Sequence, residues 1–127
     1  MVTTLTHEQS GRFDTPGGNT TTVLASSGVG AKELLAIHQA QLPGGTNPMH
    51  VKSTEALVVV LVGTVDVVTA GESFSLGEGD AALISPQTAH RLTNIGDAPA
   101  QWLVITPASV EFTTPEGEPI QPIWARS

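Results

Sequence analysis

Residues 57–62 read Leu-Val-Val-Val-Leu-Val, apolar at odd and even positions alike. Side chains alternate across a strand, so a run of this kind is a strand covered on both faces. One face has to line an interior and the other has to meet more protein. Turn-forming clusters follow at 69–72 (Thr-Ala-Gly-Glu), 78–80 (Glu-Gly-Asp) and 94–97 (Asn-Ile-Gly-Asp). They predict short strands near 65–69, 73–76, 81–85, 90–94 and 101–106, with a first strand over 21–25. Strands this short and this evenly spaced predict an all-β sandwich or barrel. Residues 32–42 are ambiguous, because Ala, Lys, Glu, Leu and Gln favour helix and Leu34, Leu35, His38 and Leu42 fit helical spacing.

A chain of 127 residues suits one domain with a core of its own. It has no cysteine, which excludes disulfides, zinc knuckles and thiol catalysis. The net charge is −7, and the five cations, Arg12, Lys32, Lys52, Arg91 and Arg126, form no cluster. Phosphate-backbone binding needs clustered cations, so no nucleic-acid partner is expected. The first ten residues lack a basic patch followed by an apolar run, and no apolar stretch reaches membrane-spanning length. A soluble, cytoplasmic protein without a membrane partner is the expectation. Residues 1–20 are polar and read as an N-terminal arm, with a turn at Pro16-Gly17-Gly18-Asn19. Residues 21–113 read as the barrel. Residues 114–127, with Pro119, Pro122 and Trp124, read as an extended tail whose tryptophan docks on a surface.

Two glycine-bounded segments, 44–63 and 79–94, each set one histidine among β-branched residues. In the first, Gly44 is followed by His50, Val51, Lys52, Ser53, Thr54, Glu55 and Ala56, then by apolar residues to Gly63. In the second, Gly79 is followed by Ser85, Pro86, Gln87, His90 and Asn94. These segments resemble the two motifs of the cupins, specifically the small single-domain members of the RmlC-like superfamily. Gly44, His50, Gly63, Gly79, His90 and Asn94 match in register. Lys52 stands where the first motif has its second histidine, and Ala56 stands at its glutamate, with Glu55 one residue early. Ser85 and Gln87 replace the second motif's proline and glycine, and Pro86 sits one place late. The resemblance implies a cupin jelly-roll β-barrel, also called a double-stranded β-helix. It also implies that residues 32–42 form a strand leading into the Pro43-Gly44-Gly45 turn.

On strand parity His50 and Lys52 share a face, which a family-like fold turns into the barrel lumen beside His90. Glu55 has the opposite parity and reaches the lumen only if a bulge at Ser53-Thr54 shifts it. Lys52, His50 and His90 are therefore the candidate catalytic residues. If a metal binds, the resemblance implies His50 and His90 as ligands, with His38 on a neighbouring strand or Glu55 as a further one. The cofactor is thus either none or one divalent transition metal (zinc, iron, nickel or manganese). Lys52 argues against the metal, since an ammonium repels a bound cation. In an apolar lumen its charged form is disfavoured, which suits proton exchange or pairing with an anionic group, unless its stem packs inside and the ammonium reaches the barrel mouth. His7 lies in the arm and has no case. Arg91 should face away from His90, and Trp102 and Phe74 should be core or cavity wall.

Three functions compete. The first is a non-redox isomerase, cyclase or decarboxylase acting on an enolisable carbonyl compound with a hydrophobic, anionic-capable body. The second is a metal-dependent enzyme of the dioxygenase type using His50 and His90. The third is a non-catalytic ligand-binding barrel. The outward face of Leu57, Val59 and Leu61 needs cover, and a second subunit would supply it, which agrees with the homodimers common among small cupins.

Overall fold

The computed structural model describes residues 1–6 and 10–124. Two antiparallel layers face each other. The larger sheet runs in the order β1 (Arg12–Thr15), β2 (Asn19–Ala25), β3 (Leu34–Gln41), β10 (Ala100–Pro107), β5 (Ala56–Val62) and β8 (Ala81–Ile84). Opposite it, β6 (Val65–Thr69) lies between β7 (Ser73–Leu76) and β9 (His90–Asn94). A third set joins β4 (Val51–Lys52) to β11 (Phe112–Thr113) and β12 (Pro119–Ile120). Bridges between His50 and His90 and between Thr46 and Thr93 tie that set to β9, so the second layer is nearly continuous. This is the expected jelly-roll barrel, and among the described residues no α-helix interrupts it.

The doubly apolar run became β5, flanked by β10 and β8. Val58 and Val60 point inward and are buried with Val104, Trp102, Val67 and Leu92 in one core. Trp102 is fully buried on β10, and its indole N–H donates to Gln39 Oε1 at 2.9 Å. Leu57 and Val59 lie on the outer face, half-buried, while Leu61 is 42% exposed. Residues 32–42, helical by composition, yield the eight-residue strand β3, because pairing with both β2 and β10 outweighs local propensity. No helix of the described residues is long and apolar enough to cross a membrane.

Three local expectations change. The arm read over 1–20 is not loose beyond Gly11, because Pro16-Gly17-Gly18 closes a hairpin that pairs Arg12–Thr15 with residues 19–22. Asn19 is buried there, donating from Nδ2 to the carbonyls of Pro16 and Thr46. His7 and Arg126 lie outside the described residues. The tail forms β12, and Trp124 meets Phe112 edge-on at 5.5 Å. Phe74 is neither core nor cavity wall; it is 49% exposed on β7, at the edge of its sheet.

Glycines and one non-glycine set the turns around the two motifs. Gly63 has φ +83, and a Cβ there would meet Ala100 Cα at 3.1 Å. Gln87, at the position where the second motif has glycine, has φ 62 and is, among the described residues, the non-glycine residue in the left-handed region. Its backbone N–H is held by the Lys52 carbonyl at 2.9 Å. A side chain at such a φ costs roughly 1–2 kcal/mol, partly offset by the extra unfolded-state freedom of glycine. Gln87→Gly is therefore expected to stabilise the fold by about 1 kcal/mol, read as a higher midpoint in urea denaturation with an unchanged slope. A lower midpoint would show that the turn carries no strain.

Candidate functional site

His50, Lys52 and His90 come together in the lumen. His50 and His90 exchange backbone hydrogen bonds, at 2.9 and 3.0 Å, and this narrow pair brings their rings to 4.4 Å between centroids. Lys52, two residues along the same face, extends its side chain between them. Its Nζ lies 3.0 Å from His50 Nε2 and 3.1 Å from His90 Nε2. The side chain stays inside, 7% exposed, and does not reach the mouth.

The backbone sets both tautomers. His50 Nδ1 donates to the Pro48 carbonyl at 2.9 Å, and His90 Nδ1 donates to the Thr88 carbonyl at 2.8 Å. A carbonyl only accepts, so each Nδ1 carries the proton and each Nε2 presents a lone pair to Lys52. Burial pushes Lys52 down from 10.5 to about 8. Burial first, then the charge of Lys52, then that of His90 lower His50 to about 3. His90 falls to about 4, again through burial and then Lys52. Near neutral pH the cluster thus holds one proton too many on nitrogen and two neutral bases beside it.

A local two-fold relates the segments that carry the histidines. The Asn47 N–H reaches the Leu92 carbonyl at 3.3 Å, as the Gln87 N–H reaches that of Lys52 at 2.9 Å. The carbonyls of Pro48 and Thr88 play the same part toward their histidines. Position 52 is therefore equivalent to position 92, and the first holds lysine where the second holds leucine.

The cluster borders a cavity of about 340 Å³. Leu35, Ile37, Val58, Leu92, Val104 and Phe112 make much of its wall, and Ile120, Ile123 and Trp124 bring in the tail. Phe112 is the register partner of Lys52, with its ring 5.9 Å from Nζ. Polar side chains missed by the sequence reading also line it, among them Gln39, whose Nε2 donates to Thr21 Oγ1 at 3.2 Å, and Thr21 itself. The alternation of Ile37, Gln39 and Gln41 on one face was the available signal for Gln39.

The further metal ligands do not arrive. His38 has the parity of the outer face, where its Nε2 meets Gln101 Oε1 at 3.0 Å. Glu55 is exposed, because no bulge at Ser53-Thr54 reverses its parity. Among the described residues no three histidines or carboxylates converge. Both Nε2 lone pairs that a metal would need already face Nζ, and an ammonium there opposes a second cation. This donor set does not fit a resident metal ion. Arg91 is exposed, as its parity required.

The cupin domain family model matches residues 38–106. Among curated proteins nothing matches the chain. Among solved structures, the polyketide cyclase RemF from Streptomyces resistomycificus is similar at TM-score 0.74 and 19% identity, over 99% of this chain and 91% of that one. A sugar phosphate isomerase of the cupin superfamily from Silicibacter pomeroyi is similar at TM-score 0.69 and 21% identity, over 94% and 97%. A recombinant oxalate oxidase in complex with glycolate gives TM-score 0.69 at 21% identity, over 79% of this chain and 56% of that one. At such identities the likeness is one of fold.

The lowered histidines make stability depend on acid. Between 6.5 and their folded values of about 4 and about 3 the unfolded chain binds the protons that the folded chain refuses. The histidines' contribution is thus full above 6.5 and is lost as pH falls through that window, while the lowered Lys52 adds a separate rise in stability between about 8 and 10.5. The melting temperature is expected to fall between about pH 7 and about pH 4.5, with a shallower fall in His90→Gln. Equal slopes in the two proteins would show that His90 is not the group being forced to charge.

Proposed function

The chain belongs to the cupin domain family, and on that premise we propose that it is a non-redox enzyme, an isomerase, cyclase or decarboxylase, acting on an enolisable carbonyl compound. The observation that carries this reading is the position of Lys52 Nζ, within 3.1 Å of two imidazole Nε2 atoms at the wall of an apolar cavity. A carbonyl oxygen placed against Nζ meets a hydrogen-bond donor in a low-dielectric setting, where charge developing on that oxygen is strongly stabilised. As Nζ turns a hydrogen from one imidazole to the carbonyl oxygen, the lone pair freed on that Nε2, of His90 or His50, is the neutral base for the proton on the adjacent carbon. The apolar walls favour a substrate with a hydrophobic body, and Lys52 accommodates an anionic head. The polyketide cyclase and the sugar phosphate isomerase of like fold fit this class of reaction.

The test is exchange of α-protons into deuterated water, followed by NMR, for a panel of hydrophobic β-keto acids and 1,3-diketones with chelator-treated protein. Lys52→Met is expected to lower the exchange rate by about 100-fold or more, and His90→Gln by a similar factor. Retained exchange in Lys52→Met would remove the lysine from the chemistry. Exchange that appears only after added zinc, iron, nickel or manganese would favour the metal-dependent reading, and binding without exchange would favour a ligand-binding barrel.

The assembly proposed with this function is a homodimer through the outer face of the larger sheet. Leu57 pairs across the sheet with Leu83 and Ile105, and Val59 with Leu103, so these side chains form one uncharged patch. Leu83 is 68% exposed there. In a chain of net charge −7, an uncharged face is where two copies meet without opposing like charges. Light scattering behind gel filtration is expected to give a dimer for the wild type and a monomer for Leu83→Glu. A wild-type monomer overturns the assembly.

A further inference from the structure

We infer that Lys52 is a covalent catalyst that condenses with an aldehyde or ketone in the cavity to form an imine. The inference rests on the proposed carbonyl substrate and deepens it. Below about pH 8, Nζ is mainly an ammonium whose third hydrogen is left over, and the neutral amine that predominates above that value has two hydrogens and one lone pair. Here two fixed acceptors, the Nε2 atoms of His50 and His90, stand 3.0 and 3.1 Å from Nζ, and both are locked as acceptors by Nδ1–H bonds to backbone carbonyls. The two N–H bonds are thereby assigned, and the remaining lone pair is left for the cavity that Lys52 lines. The two imidazoles hold a nucleophile in its reactive orientation.

The condensation balances with these groups alone. The Nζ lone pair forms a bond to the carbonyl carbon while the C=O π pair moves onto oxygen. One N–H proton passes through the first Nε2 to that oxygen, giving a carbinolamine. The second N–H proton passes through the other Nε2 to the hydroxyl, the C–O bond breaks, water leaves, and the C=N bond forms. No oxidant, reductant or co-reactant is consumed. A carbonyl compound with a flat apolar body suits the walls formed by Ile37, Val58, Val104, Phe112 and Trp124.

The chain supplies its own control, since its other lysine, Lys32, is exposed. Full-length protein is incubated with low concentrations of phenylacetone or cinnamaldehyde and sodium cyanoborohydride, then weighed intact and mapped by peptide mass spectrometry. A single adduct, the mass of the probe less one oxygen, is expected on Lys52. It should persist in Lys32→Arg, be absent in Lys52→Arg, and form about 10-fold more slowly or worse in His50→Gln and His90→Gln, which keep the amine but replace an imidazole that passes the proton on by an amide that cannot. Label on Lys32 or the N-terminus without preference for Lys52, or an unchanged rate in both histidine variants, overturns the inference. Proton exchange of phenylacetone, read by NMR in parallel, separates the two readings. Exchange without adduct removes the imine and leaves the acid–base function, whereas adduct without exchange supports the imine and removes that function. Neither adduct nor exchange removes both.

Discussion

The barrel is closed at one end by a buried amide clasp, and the geometry of the lumen follows from it. Gln41, at the end of β3, donates from Nε2 to Asn19 Oδ1 at 2.8 Å and to the Leu92 carbonyl at 3.1 Å. Its Oε1 accepts from the Asn94 backbone N–H at 2.6 Å, and its own carbonyl accepts from Asn94 Nδ2 at 3.0 Å. β2 and β3, ladder neighbours at Asn19 and Gln41, are thus joined to β9 of the other layer, to which no sheet ladder joins them. Each of these groups is buried, and stranding one of them would cost about 1–3 kcal/mol. The clasp fixes the register of β9 against β3, and His90 lies four residues before Asn94 on the strand so fixed. The asparagine that ends the second motif is therefore a structural pin for the histidine within it.

At the other end of β9 the physics reverses, because a cation has been built into an apolar space. Burying an ammonium is unfavourable unless donors find acceptors, and the two imidazoles provide them. The histidines accept that task at the expense of their own basicity, falling to about 3 and about 4. One substitution within the first motif thus changes the whole electrostatic character of the lumen. Where the resembled pattern would gather ligands around a metal, this chain gathers acceptors around its own nitrogen.

Much of this was legible in the sequence. The both-parity run at 57–62 reported a strand covered on two faces, and parity put His50 and Lys52 on one face, which the resemblance to the cupins turned into the lumen beside His90. Parity alone also could have removed His38, on the outer face of β3, and Glu55, exposed just before β5. The rest is set by contacts between residues distant in sequence. Nothing local shows that Gln41 and Asn94 will meet, or that residues 47–52 and 87–92, alike only in their histidine, will pair about a two-fold. The strain at Gln87 is visible only as a φ angle, and the role of Trp124 depends on Phe112 being brought beside Lys52 by β11.

That two-fold is broken, inside the lumen, at one pair of residues. Positions 52 and 92 correspond across the His50–His90 pair and are unlike as chemistry, with the amine on one side and a leucine on the other. A planar molecule held between them has its two faces distinguished by that difference. Because a rotation preserves hand, a chain carrying leucine at 52 and lysine at 92 would present the same arrangement turned about the axis, and which face meets the nitrogen is decided by the walls that do not obey the two-fold, Phe112 beside position 52 and Val67 beside position 92.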